Sequence, residues 1–147
     1  MKPKKNINLA DYPILLVDDD DLDVECFTRA LKKIKAPNPF YRASDGVEAL
    51  EFLKGQNGKE KIDYPRVIFL DINMPRMNGF EFLERIKNDE DMSQNIIFML
   101  TTSDRSNDIA IANAYNISGY LIKGNVLQLA DFFENFLKPG AAMPVPH

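Results

Sequence analysis

The sequence has little of what most catalytic and metal centres are built from. Its one cysteine, Cys26, excludes intrachain disulfides, paired-cysteine redox motifs and zinc-finger clusters. Its one histidine, His147, is the last residue of a stretch, Lys138 to His147, that carries three prolines and reads as a flexible tail. A Ser-His-Asp or Cys-His centre therefore lacks a plausible base, and an imidazole metal site lacks ligands. There is no tryptophan. No run approaches the ~20 apolar residues of a membrane span. Met1-Lys2-Pro3-Lys4-Lys5-Asn6 is basic, but no apolar stretch of about 7–15 residues follows it, so a cytoplasmic protein without a secretory signal is expected. Charge of one sign is not in large excess either. The 22 acids and 18 bases give a net charge of −4, which argues against bulk electrostatic binding of nucleic acid or anionic membrane.

What is present suits one domain with a real core. The chain has 147 residues, 45% of them apolar and 27% charged, within the range of ordinary globular domains. Ile14-Leu15-Leu16-Val17, Val67-Ile68-Phe69-Leu70 and Ile96-Ile97-Phe98-Met99-Leu100 are continuous apolar runs. Their length and β-branched content predict strands buried on both faces. Tyr120-Leu121-Ile122 is a shorter candidate. Pro39 to Ala43 is a more polar one, expected nearer an edge.

Helical patterns lie between the runs. From Asp21 to Lys35, Phe27, Ala30, Leu31 and Ile34 share a face. Asp45-Gly-Val-Glu48, Asn78-Gly-Phe-Glu81 and Asn125-Val-Leu-Gln128 read as capping boxes that open three further helices. Residues 104–115 form a weaker, Ala- and Ile-rich helical candidate. Gly55 to Pro65 reads as a long surface loop. Five β-α units in series predict a parallel sheet covered by helices on both faces. The expected division is an extension over 1–12, the domain over 13–138 and the tail over 139–147. Phe132, Phe133 and Phe136 do not share one helical face, so at least one is expected to be exposed.

The chemistry lies at the ends of the runs. The first is followed by Asp18-Asp19 and the Val67 run by Asp71; the next two lead into Thr101-Thr102 and Lys123. A parallel sheet places all these ends on one edge, where open α/β sheets bind ligands. Clustered carboxylates repel unless a cation joins them. A hard divalent ion such as Mg²⁺ would resolve the repulsion. A carboxylate can also act as a nucleophile toward phosphorus, and Lys and Thr can then bind the phosphoryl oxygens.

Five segments together resemble the receiver domain of bacterial two-component response regulators. They are Leu15 to Asp20, Ser44 to Leu50, Phe69 to Gly79, Leu100 to Asp104 and Gly119 to Lys123. The resemblance covers residues 13 to about 138 and is nearest to the single-domain receivers that serve phytochrome-like kinases. It implies a flavodoxin-like, doubly wound five-stranded parallel sheet of strand order 2-1-3-4-5. It implies that Asp71 is the phosphoacceptor. It implies an Mg²⁺ site in which Asp19 binds directly, Asp18 binds directly or through water, and Asp71 and the Asn73 carbonyl complete the set. Lys123 and Thr101 would hold the phosphoryl group. Thr101 and Tyr120 would form the switch, although Tyr120 serves equally well as core.

The partners implied are a sensor histidine kinase and a downstream protein or phosphotransfer protein, with homodimerisation left open. No nucleic acid or membrane is implied, and no enzymatic turnover. The alternative is a receiver-like module that binds partners without being phosphorylated. A Mg²⁺ phosphatase of the haloacid dehalogenase class ranks lower, since it needs a second acid where this chain has Asn73.

Two positions depart from the family pattern. Lys123 is followed by Gly124 where proline is usual, and Thr102 stands where alanine is common. In the run Asp18 to Asp23, Asp20, Asp21 and Asp23 read mainly as helix N-terminal acids.

Overall fold

Strands form where apolar side chains must be hidden on alternate sides at every residue. The computed structural model, which describes residues 11–63, 66–72, 77–88, 95–101, 117–123 and 126–137, with Thr101 and Ile122 as backbone only, has five strands, the central ones of this kind and Phe40–Ala43 more polar. They are β1 (Ile14–Val17), β2 (Phe40–Ala43), β3 (Arg66–Asp71), β4 (Asn95–Thr101) and β5 (Gly119–Ile122). All pair in parallel, in the order β2-β1-β3-β4-β5. The expected sheet and strand order are those observed.

The period-2 alternation splits each strand between two cores. Leu15, Val17, Ile68, Leu70, Ile97 and Met99 face one side. There they meet α2 (Gly46–Lys54) and α3 (Gly79–Lys87) through Ala49, Leu50, Leu53, Phe82, Leu83 and Ile86. Ile14, Leu16, Val67, Phe69, Phe98 and Leu100 face the other side. That side is covered by α1 (Asp21–Lys33) and α4 (Val126–Phe136). Phe27 of α1 and Phe133 of α4 meet edge-on at 4.9 Å, and Phe27 meets Phe69 at the same distance. Edge-to-face contacts of this kind add about 0.5–1.5 kcal/mol beyond buried area.

Local chemistry sets the helix ends. Asp20 caps α1 by accepting from the Leu22 and Asp23 amides. Asn78 and Glu81 form the full capping box that opens α3. At α2 only half of the expected box forms. Asp45 accepts from the Glu48 amide, but the Glu48 carboxylate closes on the Ser44 amide, one residue before the cap. Asn125 and the 104–115 candidate lie outside the described residues, as do 1–10 and 138–147.

Three expectations change. The Gly55–Pro65 loop has a buried anchor in Ile62, whose amide donates to the Phe52 carbonyl. β3 begins at Arg66, which is fully buried. Its guanidinium donates to the Ile62 carbonyl and to Asn95 Oδ1. The three phenylalanines of α4 all reach one core. Phe133 is fully buried, while Phe132 and Phe136 pack against the same cluster. Aromatic rings are long enough to lean in from the flanks, as Phe132 does at 5.0 Å from Phe98. The exposed apolar side chain of α4 is instead Leu127.

Candidate functional site

Register brings the strand ends level. Val17 pairs with Leu70, Asp71 with Leu100, and Thr101 with Ile122. The residues just beyond Val17 and Ile122 therefore meet the end of β3. Asp18 is fully buried and held from three directions. Its amide donates to the Ala43 carbonyl, its own carbonyl accepts from Arg42 Nε, and its Oδ1 accepts from the Asp20 amide. Asp71 is the last residue of β3 and is buried. Asp19 is exposed.

Carboxylate oxygens of Asp18, Asp19 and Asp71 lie within 4.8 Å of one another. Lys123 reaches into this group. Its Nζ lies 3.0 Å from Asp18 Oδ2, 2.9 Å from Asp71 Oδ2 and 2.9 Å from Asp23 Oδ2.

The electrostatics follow from burial. Desolvation raises the Asp18 carboxyl to about 6, against the Asp20 amide and Lys123, which favour the charged form; the Asp71 charge adds to the rise. Burial alone would lower Lys123. Its hydrogen bond to Asp23 and the close carboxylates of Asp71 and Asp18 outweigh that and hold the ammonium above the usual lysine range. One firmly charged cation thus serves more carboxylates than it can neutralise.

A hard divalent cation fits this donor set. Asp18 Oδ2 is buried and, although close to Nζ, accepts no well-directed hydrogen bond. An acceptor left in that state carries a desolvation cost that a cation would remove. Three carboxylates whose oxygens can share one coordination sphere are the donors that such an ion takes.

Asp18, Asp19, Asp71 and Lys123, singled out in the sequence, are brought together. Thr101 ends β4 at the same edge, described there by its backbone. Tyr120 on β5 is partly buried against the α2–α3 core, and burial raises its hydroxyl above the ordinary value. Asn73, Thr102 and Gly124 lie outside the described residues. Of the helix N-terminal acids, Asp20 is the cap and Asp21 and Asp23 lie in the first turn, as expected. Asp21 also pairs with Arg42 at 2.8 Å, and Asp23 with Lys123. Arg42 and Asp23 were thus not identifiable from the sequence, because nothing in an acid run tells which member faces a lysine 100 residues away.

Gly79 is a further silent contributor. Its amide donates to the Ile72 carbonyl, and a Cβ there would stand 2.7 Å from the Asp71 carbonyl oxygen and 2.8 Å from Ile72 Cα. Both are backbone atoms that cannot swing aside. Gly79→Ala is expected to cost about 1–3 kcal/mol and to weaken metal binding by shifting Asp71. Urea unfolding and a Mn²⁺ titration would check this.

Comparison with known proteins decides the family. The model of the response regulator receiver domain matches residues 14–130. The chain belongs to this family. As a response regulator receiver, it works in two-component signal transduction. The receiver is 31% identical over 121 residues to response regulator Rcp1 of Synechocystis sp., covering 82% of this chain and 81% of Rcp1. The crystal structure of the Mn²⁺-bound form of Rcp1 superposes with a TM-score of 0.78 at 27% identity, covering 91% of this chain and 99% of that one. The phosphorylated cyanobacterial phytochrome response regulator RcpA gives 0.78 at 27% identity, covering 92% and 99%. A two-component response regulator from Legionella pneumophila gives 0.74 at 35% identity, covering 83% and 95%.

Proposed function

We propose that the receiver takes a phosphoryl group onto Asp71 from a sensor histidine kinase and passes the signal to a downstream or phosphotransfer protein. The observation that carries this reading is one ammonium, Lys123, shared by buried carboxylates at the C-terminal edge of a parallel sheet. In the transfer, an oxygen of Asp71 forms a bond to phosphorus as the bond from phosphorus to the donor's imidazole nitrogen breaks; the leaving imidazole keeps that electron pair. The ion implied is Mg²⁺, held by Asp18, Asp19, Asp71 and the carbonyl of Asn73. Bound there, it would offset the carboxylate charge and screen the incoming phosphoryl oxygens.

The other roles belong to the chain itself. Lys123 neutralises a phosphoryl oxygen, and the Thr101 hydroxyl donates to another. Movement of Thr101 toward the phosphoryl group draws Tyr120 with it, a two-state switch biased by new contacts. The protein acts as a cytoplasmic signalling partner without turnover of a free substrate, over a unit spanning residues 13–138, and can pair with a second copy. The relatives support the reading: a phytochrome response regulator among them has been seen phosphorylated, and Rcp1 with Mn²⁺.

The test uses Mg²⁺ and acetyl phosphate, read by intact mass. The wild type is expected to gain one phosphoryl group that hydroxylamine removes, and Asp71→Asn none. An unlabelled wild type, or equal labelling of the two, would sink the reading.

A further inference from the structure

Lys123 carries three N–H donors and meets three carboxylates at 2.9–3.0 Å. The three are not equivalent. Asp18 and Asp71 belong to the group whose oxygens converge for a cation, and Asp23 does not. Asp18 and Asp71 would hold a divalent ion with their lone pairs. An Asp71 oxygen would form the bond to an arriving phosphorus. Only the Asp23 bond to Lys123 competes with neither event.

The surroundings make that bond an anchor. Asp23 sits in the first turn of α1, and its amide is tied to the cap Asp20. One turn on, Phe27 lines, with Leu100 and Leu129, a cavity of about 10 Å³ beside Lys123, Asp18 and Asp23. That is space for one water at most. A lysine stem is flexible, and here Gly124 follows where the family's proline would stiffen the chain. Side-chain fixation has to come from somewhere else, and the first turn of α1 supplies it.

We infer that Asp23 is a positioning residue: it keeps the Lys123 ammonium aimed at the acceptor while Asp18 and Asp71 change partners. The inference rests on the proposed phosphoryl transfer to Asp71, so its test has one arm that does not involve phosphorylation. In the Mg²⁺-loaded, unphosphorylated protein, the ¹⁵Nζ resonance of Lys123 is expected to stay sharp and protected. In Asp23→Asn it should broaden by solvent exchange, while Mg²⁺ affinity changes by less than about twofold, because Asp23 is outside the cation group. A Lys123 signal equally sharp in Asp23→Asn overturns the inference.

The second arm is a double-mutant cycle with acetyl phosphate and Mg²⁺. Asp23→Asn is expected to slow labelling about tenfold, within what misplacement of a catalytic group costs. In a Lys123→Ala background the same change should have no effect. Equal slowing in both backgrounds would show that Asp23 serves only the helix and would overturn the inference. If the wild type itself takes no label, the phosphoacceptor reading fails and this inference fails with it. A labelled wild type with an unaffected Asp23→Asn removes the inference alone.

Discussion

Asp18→Asn is expected to make the protein more stable and a worse metal binder. The buried Asp18 carboxyl titrates near 6 in the fold, against 3.8 as a free side chain. Protons therefore bind the folded state more tightly than the unfolded one. The ionised carboxylate weakens the fold fully above pH 6, and the penalty fades as pH falls toward 4. At about 1.4 kcal/mol for each unit of difference, the penalty is about 3 kcal/mol at pH 8. Asparagine removes the charge and keeps an oxygen for the Asp20 amide, but gives up the carboxylate oxygen that stands 3.0 Å from the Lys123 ammonium. The net gain expected is about 1–3 kcal/mol at pH 8, shrinking to nothing near pH 4. Mn²⁺ affinity should drop at least about tenfold, since ligand charge sets the strength of such sites. In the wild type, protonation of Asp18 should cost up to about tenfold in affinity for each pH unit below 6. Urea unfolding of the metal-free protein at several pH values would measure the first effect, and a Mn²⁺ titration the second. A variant less stable than wild type at pH 8 would contradict this account.

Lys123→Met should act in the opposite sense and more strongly. Methionine is close to the lysine stem in length, suits a surrounding that includes Phe27 and Leu129, and removes the ammonium. Asp18, Asp23 and Asp71 then face one another with their shared counter-charge gone. Breaking a buried ion pair by removing one partner costs about 3–5 kcal/mol, and this loss is expected at pH 8 without metal. Without the lysine, the Asp18 carboxyl titrates still higher than 6, so the loss should ease as pH falls through that range. Millimolar Mg²⁺ should restore part of it at constant pH. A loss that ignores both pH and Mg²⁺ would mean that packing, not charge, is what Lys123 provides.

Polar alternation, or its absence, determines which parts of the molecule can be read from the sequence. Ile14-Leu15-Leu16-Val17 has no polar alternation, so it belongs in a strand covered on both sides, and the acids that follow belong at its end. The same logic placed Asp71 and Lys123 at one edge. What the one-dimensional pattern does not encode is direction. Asp20, Asp21 and Asp23 share one helical turn and one chemistry, yet one caps the helix, one meets Arg42 and one meets Lys123. Arg66 reads as a flank of β3 because it is charged. It is buried because a carbonyl and an amide side chain from two other segments happen to receive it. Phe132 and Phe136 break the helical stripe yet reach the core, because ring length extends the reach that spacing alone would allow.

The separation of Asp23 from Lys123, 100 residues, has a consequence for how the protein is made. Synthesis runs from the N-terminus, so the acids leave the ribosome before their cation. A chain halted before β5 carries the carboxylates of the site without the lysine that they share. The site as a whole is therefore assembled only after translation has passed the fifth strand.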